Sequence, residues 1–170
     1  MRGIFRPLSL VVAAGILTLA TPVKVEARET VRWNGGGMAG TIVVRTNERH
    51  LYLVLGDGRA LRYPVGVGRA GKAWRGTSFI SGKYWKPDWS PPAEVKRDKP
   101  RLPNLIKGGT AGNPMGVAAL TLAGGEYAIH GTNNPGSVGG FVSYGCFRMY
   151  NHDVADLFQR VGVGTMVIVQ

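Results

Sequence analysis

The chain of 170 residues carries 21 Lys and Arg against 10 Asp and Glu, a formal net charge of +11. Glycine is abundant at 26 residues and charged residues make up only 18%. With many Val, Ile, Thr and Tyr, that mix favours a turn-rich β domain and argues against a helical bundle.

Residues 1–27 read as a secretory signal. Arg2 and Arg6 form a positive start, Leu8 to Ala20 an apolar run, and Val25-Glu26-Ala27 a small-residue cleavage site. A membrane span needs roughly 20 apolar residues, and Thr18, Thr21 and Pro22 close this run too early. The expectation is therefore export, to a periplasm rather than to a wall or the medium, with no membrane span left after cleavage. From Arg28 onward 18 Lys and Arg stand against 9 Asp and Glu, a field that attracts polyanions. Export argues against nucleic acid and points to a carboxylate-bearing cell wall or an anionic membrane face.

Residues 28–40 are glycine-rich and without periodicity, and read as a flexible leader; the folded domain is expected over 41–170. Thr41 to Thr46 and His50 to Leu55 are apolar or β-branched runs separated by a polar turn. Gly56-Asp57-Gly58 signals a hairpin before Arg59 to Val67. Gly76 to Ser81, Val117 to Ala123, Tyr127 to His130 and Thr165 to Val169 are further strand candidates. Only Asn151 to Arg160 looks helical: Asn151 is placed to cap it, and Val154, Leu157, Phe158 and Val161 share a face. The predicted fold is mainly β, sandwich-like, with one short helix near the C-terminus. Between Gly82 and Pro114 lies a long Pro-rich loop bearing Tyr84, Trp85 and Trp89. Loops of this length in compact domains are usually lids, binding loops or linkers; prolines and aromatics favour a packed flap.

Cys146 is the only cysteine. In an exported chain it has no partner within the chain, which leaves an intermolecular disulfide, a reactive thiol, or a small buried hydrophobe. Its neighbours bear on the choice. Gly145 lets the backbone turn sharply, so that consecutive N–H groups converge as an oxyanion hole requires. If 146–148 is extended, Arg148 faces the thiol's side, where its charge favours thiolate and suits a substrate carboxylate. A cysteine nucleophile also needs a base. His50 sits in an apparent turn and His152 at a helix start, whereas His130 ends a strand and precedes glycine. One Cys and three scattered His lack metal-ligand spacing, so no metal is expected.

Taken together, His130-Gly131-Thr132, then Ser143-x-Gly145-Cys146-x-Arg148-Met149 and Asn151-x-Asp153-Val154, resembles the catalytic signature of the L,D-transpeptidases, the YkuD-type domain. Thr41-Ile42-Val43-Val44, Tyr63 to Gly68, Gly112 to Gly116 and the closing Gly164-Thr165-x-Val167 extend the resemblance to nearly all of 41–170. The resemblance implies a Cys146 nucleophile and a His130 proton partner oriented by the Gly131 carbonyl. It implies an oxyanion hole from the N–H groups of Tyr144, Gly145 and Cys146, and substrate contacts at Ser143 and Arg148. It implies cofactor-free acyl transfer through a thioester on peptidoglycan stem peptides, which serve as donor and acceptor. An envelope protein or water are the other acceptors it allows, and carbapenems are expected to acylate the thiol. One position departs: Tyr144 stands where the family usually has histidine. Two rivals remain at this level, a wall-binding module with an inert cysteine and a sortase-like transpeptidase.

Overall fold

A computed structural model describes residues 28–170; the expected signal segment lies outside the described residues. Glu29–Arg32 (β1) pairs antiparallel with the last strand of an antiparallel meander formed by Ile42–Arg45 (β2), His50–Val54 (β3) and Arg59–Pro64 (β4). A two-residue strand, Val67–Gly68 (β5), and the long Gly76–Trp85 (β6) follow. Then come a six-residue helix, Ala93–Asp98 (α1), and two strands, Ala118–Leu122 (β7) and Ala128–His130 (β8). Phe141–Ser143 (β9), Phe147–Arg148 (β10), the helix Asn151–Arg160 (α2) and Met166–Val169 (β11) complete the order.

Nine strands join in the order β1-β4-β3-β2-β11-β6-β7-β8-β10, while β5 pairs with β9. The sandwich-like shape comes from β6 serving two partners. Gly76–Phe79 pair with β11, Ile80–Trp85 with β7, and the register shifts between Ile80 and Gly82. Such an irregularity bends and twists a strand, so one sheet folds over its own core. Ile80, Leu120, Ile129 and Phe147 fill that core, and α2 closes it with Val154 and Leu157. The mainly-β reading therefore holds. Lys83 finishes α2 by donating to the carbonyls of Phe158 and Val161, 2.7 Å each, which satisfies groups a helix end leaves unpaired. No helix among the described residues is long and apolar enough to cross a membrane.

Three expectations need correction. The leader is not flexible throughout: Glu29–Arg32 pair with β4 as an edge strand. The reason is a second apolar face. Along β2, Ile42 and Val44 point into the main core while Val43 points the other way, joining Tyr52, Val54 and Ala60, as the two-residue period of a strand dictates. Val31 and Trp33 cover that patch, with the Trp33 ring 4.7 Å from Tyr52 and Arg45 lying 4.8 Å over it. The 82–114 stretch is also more regular than a loop. Gly82–Trp85 continue β6, α1 adds a turn of helix after Pro91-Pro92, and Trp89 bridges Ile106. Asn113, almost fully buried, ties the flap by donating to the carbonyls of Pro87 and Ile106. Finally, Tyr150 rather than Asn151 occupies the N-cap of α2; Asn151 is already helical and its side chain is used elsewhere.

Candidate active site

Parallel pairing of β10 with β8 decides what stands beside what. Arg148 lies opposite His130 and Phe147 opposite Ile129. Phe147 and Ile129 point into the core, so Cys146, Arg148 and His130 share the other face. Cys146 lies just before β10, two residues back from Arg148 and so diagonal to His130, with Cα atoms roughly 8 Å apart from strand spacings of ~3.3 Å per residue and ~4.8 Å between strands. The edge thus gathers one thiol, one imidazole and one guanidinium.

His130 is buried, and its Nδ1 donates to the Gly131 carbonyl at 2.6 Å. A carbonyl only accepts, so the proton sits on Nδ1 and the lone pair on Nε2. Asn151 fixes that carbonyl. Its Oδ1 accepts from Thr132 N–H at 3.0 Å and its Nδ2 donates to the Thr132 carbonyl at 3.0 Å. Thr132 N–H belongs to the same planar peptide as the Gly131 carbonyl, so holding one aims the other. Asn151 therefore spends its side chain on Thr132 and not on the capping of α2 that its place before the helical run predicts.

The turn 143–146 differs from expectation in two ways. Ser143, expected to meet substrate, is buried at 2% exposure, and its hydroxyl is spent within the turn. It accepts from Gly145 N–H at 3.1 Å and donates to the Cys146 carbonyl at 2.6 Å. Gly145 N–H, expected in the oxyanion hole, is therefore engaged. The N–H groups of Tyr144 and Cys146 have no hydrogen-bond partner among the described residues. Gly145 is at φ +122°, and an added Cβ would collide with the Tyr127 ring, 2.9 Å from Cδ1. The backbone here requires glycine.

Electrostatics make the resting pair neutral. Burial raises the Cys146 thiol above its ordinary value, against the opposing pull of a backbone contact with Ala128 and of the Arg148 charge. Burial, then the same Arg148 charge, lowers His130 to about 4, although the carbonyls of Gly131 and Pro114 favour its cation. Arg148 favours thiolate, as expected, but desolvation wins. The thiol donates to the Glu126 carbonyl at 3.9 Å, and no hydrogen bond joins it to the imidazole among the described residues. Arg148 itself has no carboxylate partner among them. Its Nε is buried and unpaired, and its guanidinium donates from Nη1 to Ser137 Oγ at 3.4 Å. A half-buried cation without an anion is costly, and the chemistry that relieves it is a bound carboxylate.

The flap reaches this edge through Tyr144. Its hydroxyl donates to Asp98 of α1 at 2.7 Å, Arg69 donates to the same oxygen at 2.7 Å, and the Arg69 guanidinium lies 4.1 Å over the Tyr144 ring. Lys72 pairs with Glu94 on the same helix. The other histidines stay away: His50 Nδ1 bonds the Glu48 carbonyl, and His152 is exposed and stacked on Tyr150. Among the described residues no group of three or more His, Cys, Asp or Glu is placed to hold a metal.

A sheet edge of this kind, with a glycine turn offering free N–H groups beside a thiol, has the layout of an acyl-transfer site. The model of the L,D-transpeptidase catalytic domain, YkuD, matches residues 39–169, and the chain belongs to that family. A probable L,D-transpeptidase of Escherichia coli K12, ErfK/SrfK, is 37% identical over 135 residues, which cover 74% of this chain and 42% of that protein. The chain thus spans less than half the length of such curated relatives. An L,D-transpeptidase from Mycobacterium smegmatis shares the fold, with a TM-score of 0.61 and 20% identity over 76% of this chain and 58% of that one. A Brucella melitensis structure described as a probable carnitine operon oxidoreductase is 39% identical, with a TM-score of 0.55 over 85% of this chain and 93% of that one.

Proposed function

We propose that this protein is a cysteine-dependent L,D-transpeptidase acting on peptidoglycan stem peptides. The observation that carries this reading is the placement of Cys146, His130 and an unpaired Arg148 on one face of a sheet edge within a domain of that family. Arg148 takes a carboxylate of the donor stem. The thiol proton passes to His130 as Sγ attacks the carbonyl that follows the stem's diamino acid. The N–H groups of Tyr144 and Cys146 hold the resulting oxyanion. The carbon–nitrogen bond then breaks, His130 returns the proton to the departing terminal D-alanine, and a thioester remains. A second amine attacks that thioester and regenerates the thiol: a stem amine gives a crosslink and a protein amine an anchor, while water in its place gives carboxypeptidase activity. Because no hydrogen bond joins thiol and imidazole among the described residues, substrate entry must bring them together; catalytic hydrogen bonds are often unformed before substrate binds. Export to the periplasm belongs to the same proposal.

Incubating the protein with intact sacculi and mapping released muropeptides by mass spectrometry tests the reading. New or trimmed stems are expected with wild type and none with Cys146→Ala. Identical profiles would reject it and favour an inert wall-binding module, for which the neutral thiol turned toward Glu126 is the supporting observation.

The flap acts as a lid in this reading, with Asp98 clasped by Arg69 and Tyr144. Asp98→Ala is expected to leave the melting temperature almost unchanged, since exposed pairs contribute little. It should increase hydrogen exchange across 93–98 and shift products from crosslinks toward hydrolysis. An unchanged product ratio alongside faster exchange would remove the lid from the proposal.

A further inference from the structure

Trp74 lies in the segment between β5 and β6, 71 positions before the residue it serves, and its Nε1 donates to the Gly145 carbonyl at 3.0 Å. The indole is clamped on two sides. It stacks on Tyr127 with centroids 5.2 Å apart and planes 10° from parallel, and it tilts against Phe147 at 5.7 Å. Tyr127 precedes β8 and Phe147 follows Cys146, so the strands that carry the imidazole and the thiol also hold this ring. Tyr127 in turn fills the space a Gly145 side chain would occupy.

The consequence lies in the peptide that Trp74 touches. The Gly145 carbonyl and the Cys146 N–H belong to one planar trans unit and point in opposite directions. Pinning the carbonyl aims the N–H. Since Gly145 N–H is taken by Ser143, the Cys146 N–H is one of two donors left for the oxyanion, and its direction matters more than in a three-donor hole. A flexible Gly145 would otherwise let this peptide rotate. We infer that Trp74 is a positioning residue that aims the Cys146 N–H at the oxyanion by holding the Gly145 carbonyl. This rests on the acyl-transfer reading above. A purely structural alternative is that a part-buried indole N–H has simply found an acceptor.

Two reactions of the same thiol separate these roles. Acylation by imipenem passes through a tetrahedral oxyanion; alkylation by iodoacetamide is a displacement at carbon and forms none. In the full chain, Trp74→Phe keeps an aromatic ring in the stack and removes the donor. Acylation, followed by intact mass, is expected to slow roughly 10- to 100-fold, below the ~10²–10³ that deleting a donor outright costs. Alkylation should stay within about twofold of wild type, as one would expect if the donor alone is lost. If Trp74→Phe does not fold, 3-benzothienylalanine at position 74 preserves the ring shape and removes only the N–H, with the same expectation. Equal acylation rates in variant and wild type would overturn the inference, as would a parallel fall in both reactions. If wild type forms no Cys146-dependent imipenem adduct, the acyl-transfer reading itself fails and takes this inference with it.

Discussion

His130→Gln should slow Cys146 acylation by about 10²–10⁴-fold, the range that a positioned proton carrier contributes. Glutamine fills the buried space and can still donate to the Gly131 carbonyl, so the loss reports proton transfer and not collapse. The same variant should alter how stability depends on pH. In the fold His130 takes a proton only near pH 4, because burial and then Arg148 disfavour its cation. In the unfolded chain it does so near its ordinary value of about 6.5. Between those values the unfolded state binds more protons, so stability rises with pH across the window. The contribution is fully present above about 6.5 and is lost as the pH falls toward 4, with a maximum slope of ~1.4 kcal/mol per unit. Denaturant titrations from pH 4 to 7 should show wild type losing stability on acidification more steeply than His130→Gln. Parallel curves would mean that the imidazole is not buried as described.

Gly145→Ala is expected to damage both stability and acylation. At φ +122° an L-residue is strained, and its Cβ would meet the Tyr127 ring that Trp74 stacks upon. The substitution should cost well over ~1 kcal/mol of stability, as alanine does where φ is positive. It should also lower imipenem acylation by more than about 10³-fold, since the Tyr144 and Cys146 donors flank the distorted residue. Chemical denaturation and intact-mass kinetics measure the two effects separately. An active, undestabilised Gly145→Ala protein would show that the turn relaxes freely and that its geometry is not needed.

Much of the fold was written in short stretches of residues. The runs at 42–45, 50–54, 118–122 and 166–169 and the helix at 151–160 appear where apolar periodicity placed them, because propensity and periodicity act between near neighbours. β9 carried no comparable signal. Phe141 and Val142 remain largely exposed, and β5 is a strand only because β9 lies beside it. The same holds for the site. The order of His130, Gly145, Cys146 and Arg148 along the chain was visible, and so was the glycine that the turn requires. A substrate contact at Ser143 is what the family resemblance implies; only the closed turn shows its hydroxyl bonded to Gly145 and Cys146.

What the sequence determined by itself was a mainly-β domain, its family and the positions of the thiol, imidazole and guanidinium proposed to carry the chemistry, all encoded in local pattern and spacing. The tertiary structure decided matters that depend on distant partners. Residues 29–33 are ordered because β2 to β4 present them with a second apolar face. The imidazole rests neutral because its burial removes water from it, and burial raises the half-buried thiol as well; desolvation is a property of everything packed around a group. Trp74 reaches Gly145 from 71 residues away, a contact for which no stretch of sequence holds both halves.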